Sequence, residues 1–549
     1  MLESSPLSSR IGTNYAPTDE EIVQTTRLLS LPIARLTILK EDMDKALKVY
    51  EDLCARHNAL SLQIDGYRAL LSPARRLPVD IVREIFSRCL PTQHNAVMSP
   101  REAPLLLTQV CSGWRHIALS TPMLWASIHI STPLDSPQSV EQQSNMVREW
   151  MSRSGGCPLT ISLHDLVGSL ETNRWHKIMD SISNHSSQWK RISIATSSHY
   201  FEHIFALPSS AVPLLESISI TILTPGSPHR LRPVVYPSGI LDAPLLREIS
   251  LKDVREYYSI FPLKWANLTK LSLEGISNNS SIYKTAKILR LCKRLLELRA
   301  EIITINNETG PLGAPIILPM LQRLSIYHDG IGIEEFVELL KVPRLEHLEF
   351  HTKCPNKGRY LLPLLPIHSE MLQTLVANFQ MLSREDFITC LRRCPHLTIL
   401  SNKFGHTPGV VDDDIARQIA LVNQIPVNCH FDDELLELLC VPDVLTGCFL
   451  LPELEVLKCL SAAYFSDAKL VEFIHLRQGG TLPNVRKMER IVAVFNRAQT
   501  TPVVEEVKQF IGEHFMVRLS YALASDSRNV YFPYNGLPSQ SPFILPQYQ

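Results

Sequence analysis

The chain has 549 residues, enough for two or more domains or for one long repeat array with a module at one end. Its 54 Lys and Arg balance 55 Asp and Glu to a net charge of −1, which argues against nucleic-acid or membrane-surface binding driven by bulk charge. No run of 18 apolar residues occurs, so no membrane span is expected.

Met1-Leu2-Glu3-Ser4-Ser5-Pro6 lacks the basic-then-apolar order of a signal peptide, so secretion is not expected. The twelve cysteines follow no regular framework and read as free thiols in a reducing cytoplasm or nucleus. Residues 1–32 read as a disordered polar tail. A stripe follows at Leu36, Leu39, Met43, Ala46, Tyr50, Leu53, His57, Leu60, Ile64, Tyr67 and Leu71. Its steps of three and four predict a long coiled-coil-like helix over 33–72, ended by Pro73. The helix either pairs with a second copy, making a homodimer, or packs on its own chain.

The next segment, 73–130, carries Leu77-Pro78-Val79-Asp80-Ile81-Val82-Arg83-Glu84-Ile85-Phe86, then Val110-Cys111-Ser112-Gly113-Trp114-Arg115, then Thr121-Pro122-Met123-Leu124-Trp125. Pro78 suits a first helical turn, Ile81 and Ile85 share one face, and Val110, Trp114 and Ile117 repeat the stripe. A unit this small buries little core by itself, so its spare apolar surface needs a cover. The order of these motifs resembles an F-box. Together with the leucine-rich region downstream it is similar to the expanded F-box-like families of mushroom-forming fungi. The resemblance implies docking of Leu77, Pro78, Ile81, Ile85, Leu106, Val110 and Trp114 on a Skp-type adaptor, and through it on a cullin. One departure is the long polar segment from Leu90 to Pro104, where the family has a short turn. The acidic-leucine step that opens the family's second helix is also missing.

Residues 131–145 read as a Ser/Pro/Gln-rich linker, Met146 to Met151 as a short helix, and Cys157 to Leu163 as a strand. From there to residue 522 the signal is repetition of Leu-x-x-Leu-x-Leu. Copies begin at Leu215, Leu246, Leu268, Leu295, Leu321, Leu345, Leu372 and Leu397, spaced 31, 22, 27, 26, 24, 27 and 25 residues apart, with another at Leu454; those at Leu397 and Leu454 are weaker. That period matches leucine-rich repeats. The 57-residue step before Leu454 leaves room for a degenerate unit near Val427 to Phe431. Each copy predicts a strand, a turn and a helix, with Ile331 to Leu340 and Ile415 to Val422 as examples, stacked into a solenoid. The place three residues after the last apolar one holds Ile276, Asp329 or Lys353 instead of the strict Asn or Cys, so the array is divergent. An ordinary α/β domain is the alternative. Val503 to Phe515 is expected to cap the array with a helix, and 523–549 to form a flexible tail.

The expected fold class is therefore α/β: a long N-terminal helix, a small all-α F-box and a leucine-rich-repeat solenoid. Catalytic signatures are absent from the sequence: it holds no phosphate loop and no His-Glu-x-x-His. Gly330-Ile331-Gly332 reads as a turn. Cys390-x3-Cys394-Pro395-His396 has no second pair at zinc-ribbon spacing, and Cys429-His430 and the acidic run Val411 to Asp414 suggest no more. No enzyme activity, cofactor or metal is expected. The function expected is the substrate-recognition subunit of a cullin-RING (SCF-type) ubiquitin ligase. Target contacts are placed at Thr269, Lys270, Ser272, Gln322, Arg323, Ser325, Glu346, His347 and Glu349, between the repeat leucines. The rival reading is a ubiquitin-independent interaction scaffold, dimerising through the N-terminal helix.

Overall fold

The N-terminal helix α1, Asp19–Leu71, starts where a capping box starts it. The Thr18 N–H donates to Glu21 Oε2 at 2.8 Å, and the Glu21 N–H donates back to Thr18 Oγ1 at 3.4 Å, satisfying two free donors of the first turn. The helix therefore begins well upstream of residue 33 and runs through Pro32, taking in residues 19–32 of the expected tail. Residues 10–131, 137–164, 172–197, 201–205, 207–223, 239–252, 263–274, 282–303, 312–329, 333–352, 365, 371–403, 429–442, 447–461 and 463–521 are described by a computed structural model. The expected tail at 523–549, the Gly330–Gly332 turn, the acidic run at 411–414 and the helix at 415–422 lie outside them, as do Ile276 and Lys353.

The chain divides into two compact units, Met1–Ile85 and Phe86–Gln549. In the first, α1 leads into a short 3-10 turn at Pro73–Arg76 and the start of helix α2, Val79–Arg88. In the second, α3 (Leu107–Val110) and α4 (Ser112–Leu119) precede a parallel sheet. The class is mixed α/β, with a many-stranded open sheet rather than a closed barrel.

The sheet's fourteen strands are β1 (Ser127–Ser131), β2 (Leu159–His164), β3 (Trp189–Thr196), β4 (Ser217–Ile222), β5 (Glu248–Lys252), β6 (Lys270–Glu274) and β7 (Glu297–Ile303), then β8 (Arg323–Asp329), β9 (His347–Thr352), β10 (Thr374–Ala377), β11 (Ile399–Asn402), β12 (Val456–Cys459), β13 (Arg490–Phe495) and β14 (Met516–Tyr521). Sheet order equals chain order throughout. The repeat explains why. Ile218, Ile249, Leu271, Leu298, Leu324, Leu348, Leu375, Leu400, Leu457 and Ile491 stand in one unbroken register row. Each of them is buried, so every strand covers the apolar row of its neighbours.

The residue after each first leucine links the copies. The Thr269 carbonyl accepts from Leu296 N–H at 2.7 Å and Glu297 N–H at 3.0 Å, and Gln322 and Glu346 carbonyls do the same for the following strands. β11 pairs directly with β12, so no degenerate strand stands between them and the 57-residue step is an insertion.

The sheet also extends beyond the nine copies. Trp125-x-x-Ile128-x-Ile130, Trp189-x-x-Ile192-x-Ile194 and Met488-x-x-Ile491-x-Ala493 have the same spacing with a different first residue, and all nine side chains are buried. The expected linker contains helix α5, Pro137–Arg153, opened by proline at its first position. Its buried stripe of Ser144, Val147, Trp150 and Met151 has helical spacing, and Ser144 bonds Ser181 of helix α6 (Thr172–Ser183) at 3.1 Å. The expected terminal helix is instead a turn of helix at Val503–Glu506 and a 3-10 turn at Lys508–Phe510, followed by strand β14.

The long polar segment before α3 has a use within the sheet. The His129 N–H of β1 donates to the Ala96 carbonyl at 2.7 Å, and Val97 bridges His129 in parallel sense. Asn95 donates to Ser162 Oγ at 2.9 Å and accepts from Ser127 Oγ at 3.0 Å. This covers the exposed edge of β1, which would otherwise offer free backbone groups to another chain.

Candidate docking surfaces

Two surfaces combine exposure with order. The first is an apolar face on a short helix, which each unit carries separately. Leu77, Ile81 and Ile85 in the first unit, and Leu106 and Val110 in the second, are between 37% and 57% exposed. Pro78 is exposed and Trp114 half-buried. On the same helices Val82, Phe86, Leu107 and Ala118 are buried, as the helical periodicity requires.

Packing holds α4 to the sheet. Phe86 meets the Trp114 ring edge-to-face at 4.9 Å, so Trp114 is chiefly a core support. Trp125 Nε1 donates to the Ala118 carbonyl at 2.9 Å, while Trp150 Nε1 donates to the Trp125 carbonyl at 3.0 Å. Trp125 thus joins α4 and α5 to the start of the sheet. The Cys111 thiol accepts from the Trp114 N–H at 3.4 Å and caps α4.

The second surface is the polar face of the sheet. Six of the expected target residues fall into two adjacent rows across it. Lys270, Glu297, Arg323 and His347 form one, and Ser272, Arg299, Ser325 and Glu349 the other. Thr269, Gln322 and Glu346 lie one residue before these strands, where their carbonyls link the repeats. In the first row Lys270 lies 3.6 Å from Glu248 and 3.8 Å from Glu297, and Arg323 lies 3.8 Å from Glu297. Charges alternate, so the row compensates itself. From His129 of β1 the second row continues as serine in five consecutive strands, Ser162, Ser193, Ser219, Ser250 and Ser272, before it turns charged.

Two of the expected residues, Ser325 and Glu349, belong to a cluster on β6 to β9 whose other members the leucine pattern does not mark. Arg299 Nε sits 2.8 Å from Glu274 Oε1, and its guanidinium lies over the Tyr327 ring at 5.2 Å. Tyr327 stacks on His351 at 5.0 Å, and His351 Nε2 is 3.0 Å from Glu349 Oε1. Lys403 approaches the same oxygen at 3.8 Å, and Ser325 Oγ donates to Glu349 Oε2 at 3.2 Å. Burial alone would raise the Glu349 carboxyl. Hydrogen bonds from His351 and Tyr327, with the charges of His351 and Lys403, instead hold it at about 2. Burial and the Glu349 charge push the Tyr327 phenol up. Extending the alternation one step past the last apolar residue, Ile326 or Phe350, would have found Tyr327 and His351.

Elsewhere, Cys390 and Cys394 are buried core thiols, and burial pushes the Cys390 thiol up to about 12. Burial lowers His430, which bonds the Leu382 carbonyl at 2.9 Å and stacks on Phe387. Among the described residues no group of three or more His, Cys, Asp or Glu is placed to hold a metal ion, and no helix is long and apolar enough to cross a membrane. No family model and no curated protein matches the chain.

Proposed function

We propose that the chain is a substrate receptor of an SCF-type ubiquitin ligase in the cytoplasm or nucleus, a non-enzymatic protein without a cofactor. In this reading the F-box-like segment docks on a Skp-type adaptor, and the sheet is a divergent leucine-rich-repeat array that holds a target protein. The observation that carries it is the pairing, on each short helix, of a buried face with apolar residues left in water. Exposed apolar side chains in an ordered row mark a contact waiting for a partner. Two polar rows standing in register on a rigid sheet suit a protein target better than a small molecule. The receptor's contribution is then proximity, raising the effective concentration of target near charged ubiquitin.

The test is co-purification of the full chain with a Skp-type adaptor, comparing wild type with Ile81→Asp/Val110→Asp. Both positions are exposed, so the variant is expected to keep its melting temperature and lose adaptor binding at least about 100-fold, as loss of two central apolar anchors implies. A folded wild-type chain that fails to bind removes the ligase reading and leaves the ubiquitin-independent scaffold.

A further inference from the structure

Helix α1 carries an apolar seam that its own unit does not cover. Among the described residues of that unit, the elements after α1 are a four-residue turn and the start of α2. Leu36, Leu39, Met43, Tyr50, Leu53 and Leu60 are 55–70% exposed. Their three-and-four spacing is the spacing at which one helix meets another. A membrane-surface helix would need a wide apolar face backed by basic residues, whereas α1 carries Lys40, Asp42, Lys45, Asp52 and Arg56 beside the seam.

We propose that α1 pairs with α1 of a second copy of this chain, antiparallel and centred on residue 48. In that register the small Ala46 layer faces the large Tyr50 of the second copy, Met43 faces Leu53, and Leu36 faces Leu60. At the flanks Asp42 faces Arg56 of the second copy, twice by symmetry. Those two side chains are now exposed and hold only near neighbours, Lys45 at 3.2 Å and Asp52 at 2.7 Å. The register also brings Leu47 and Val49, exposed at 55% and 61% although outside the seam, to the centre of the contact. A parallel pair in register would set Arg35 against Lys40 of the second copy, like charge on like.

The area suffices. Burying a large apolar side chain removes roughly 60–120 Å² from water, so the seam supplies on the order of 800 Å² per helix, the size of a stable interface. The pairing holds whether or not the adaptor binds.

The experiment is sedimentation velocity of the full chain, with disulfide trapping to read the direction. Wild type is expected at twice the chain mass. Met43→Asp/Leu53→Asp is expected at the chain mass, with its near-ultraviolet dichroism from the sheet unchanged. Leu36→Cys/Leu60→Cys is expected to form a 36-to-60 disulfide between chains, identified by peptide mass spectrometry. A wild-type chain at single mass throughout the micromolar range overturns the pairing. A 36-to-36 disulfide in Leu36→Cys alone overturns the antiparallel register.

Discussion

Leucine recurs with near-regular spacing in both α1 and the sheet, yet its fate is opposite. In α1 the seam leucines are more than half exposed, while in the sheet the leucines of the unbroken register row are at most 1% exposed. The difference is not hydrophobicity. A strand's apolar row is covered by the next copy of the same motif a few tens of residues along the chain. A helix seam of 36 residues needs a partner of equal length, and among the described residues its own unit holds no second such helix. Where a repeat supplies its own neighbour, the chain finishes its core alone. Where it does not, the apolar row is left as a binding surface.

The polar groups divide the same way, and this gives the largest expected effect. Asp467 is fully buried and accepts from Arg497 at 2.6 Å, from Thr500 N–H and Oγ1 at 2.6 and 2.8 Å, from Thr501 N–H at 3.0 Å and from Tyr521 at 3.0 Å. Burial would raise its carboxyl, but these donors hold it well below the usual carboxylate range. Asp467→Ala leaves Arg497 and several donors without their acceptor and is expected to cost about 3–5 kcal/mol of unfolding free energy. The corresponding change on α1, Asp52→Ala, removes an exposed pair with Arg56 and should cost no more than about 0.5 kcal/mol. Equal costs in urea unfolding would erase the distinction.

Next comes the apolar pair. Leu324→Ala empties a site that is 1% exposed and should cost about 2–5 kcal/mol. Leu39→Ala, at a position 55% exposed, should change the unfolding of the sheet by less than about 0.5 kcal/mol while weakening self-association. A comparable loss of sheet stability from Leu39→Ala would mean that α1 is covered within its own chain.

The smallest effect is one of slope. Glu349 falls from an ordinary 4.5 to about 2 in the folded chain. The unfolded chain therefore binds its proton first, so the stability this group contributes is complete above pH 4.5 and is lost as pH falls toward 2. Glu349→Gln should flatten the dependence of the urea midpoint on pH between 5 and 3. An unchanged slope would show that the Tyr327, His351 and Lys403 cluster does not hold the carboxylate in solution.

Much of the sheet was legible because its period is written in leucine. The copies with Trp125, Trp189 and Met488 at the first position were passed over because only the residue type differs; a search on spacing alone finds them. The heptad stripe starts only at Leu36, so it does not reveal the helix start, which the Thr18–Glu21 capping box marks. The Ser/Pro/Gln-rich composition of 131–145 suggests a linker and only Met146 to Met151 a short helix, whereas α5 begins at Pro137 and its buried stripe includes Ser144, a residue that helical periodicity does not flag. Nothing in the sequence marks Asp467 or Arg477 as interior. Each is polar by type and buried only because partners far along the chain converge on it, Thr500, Thr501 and Tyr521 in one case, and the Leu439, Leu451 and Leu454 carbonyls in the other.

What the amino-acid sequence determined by itself was periodicity: a three-and-four stripe that makes a helix with one apolar seam, and a three-and-two stripe that makes strands with one apolar face. Periodicity follows from backbone geometry, which is local. Only the tertiary structure decided which of those faces is satisfied within the chain and how the polar positions between the leucines line up. It also decided that the polar segment before α3 covers the edge of β1. Those outcomes depend on which strands stand next to one another, and that is settled by contacts between residues distant in sequence.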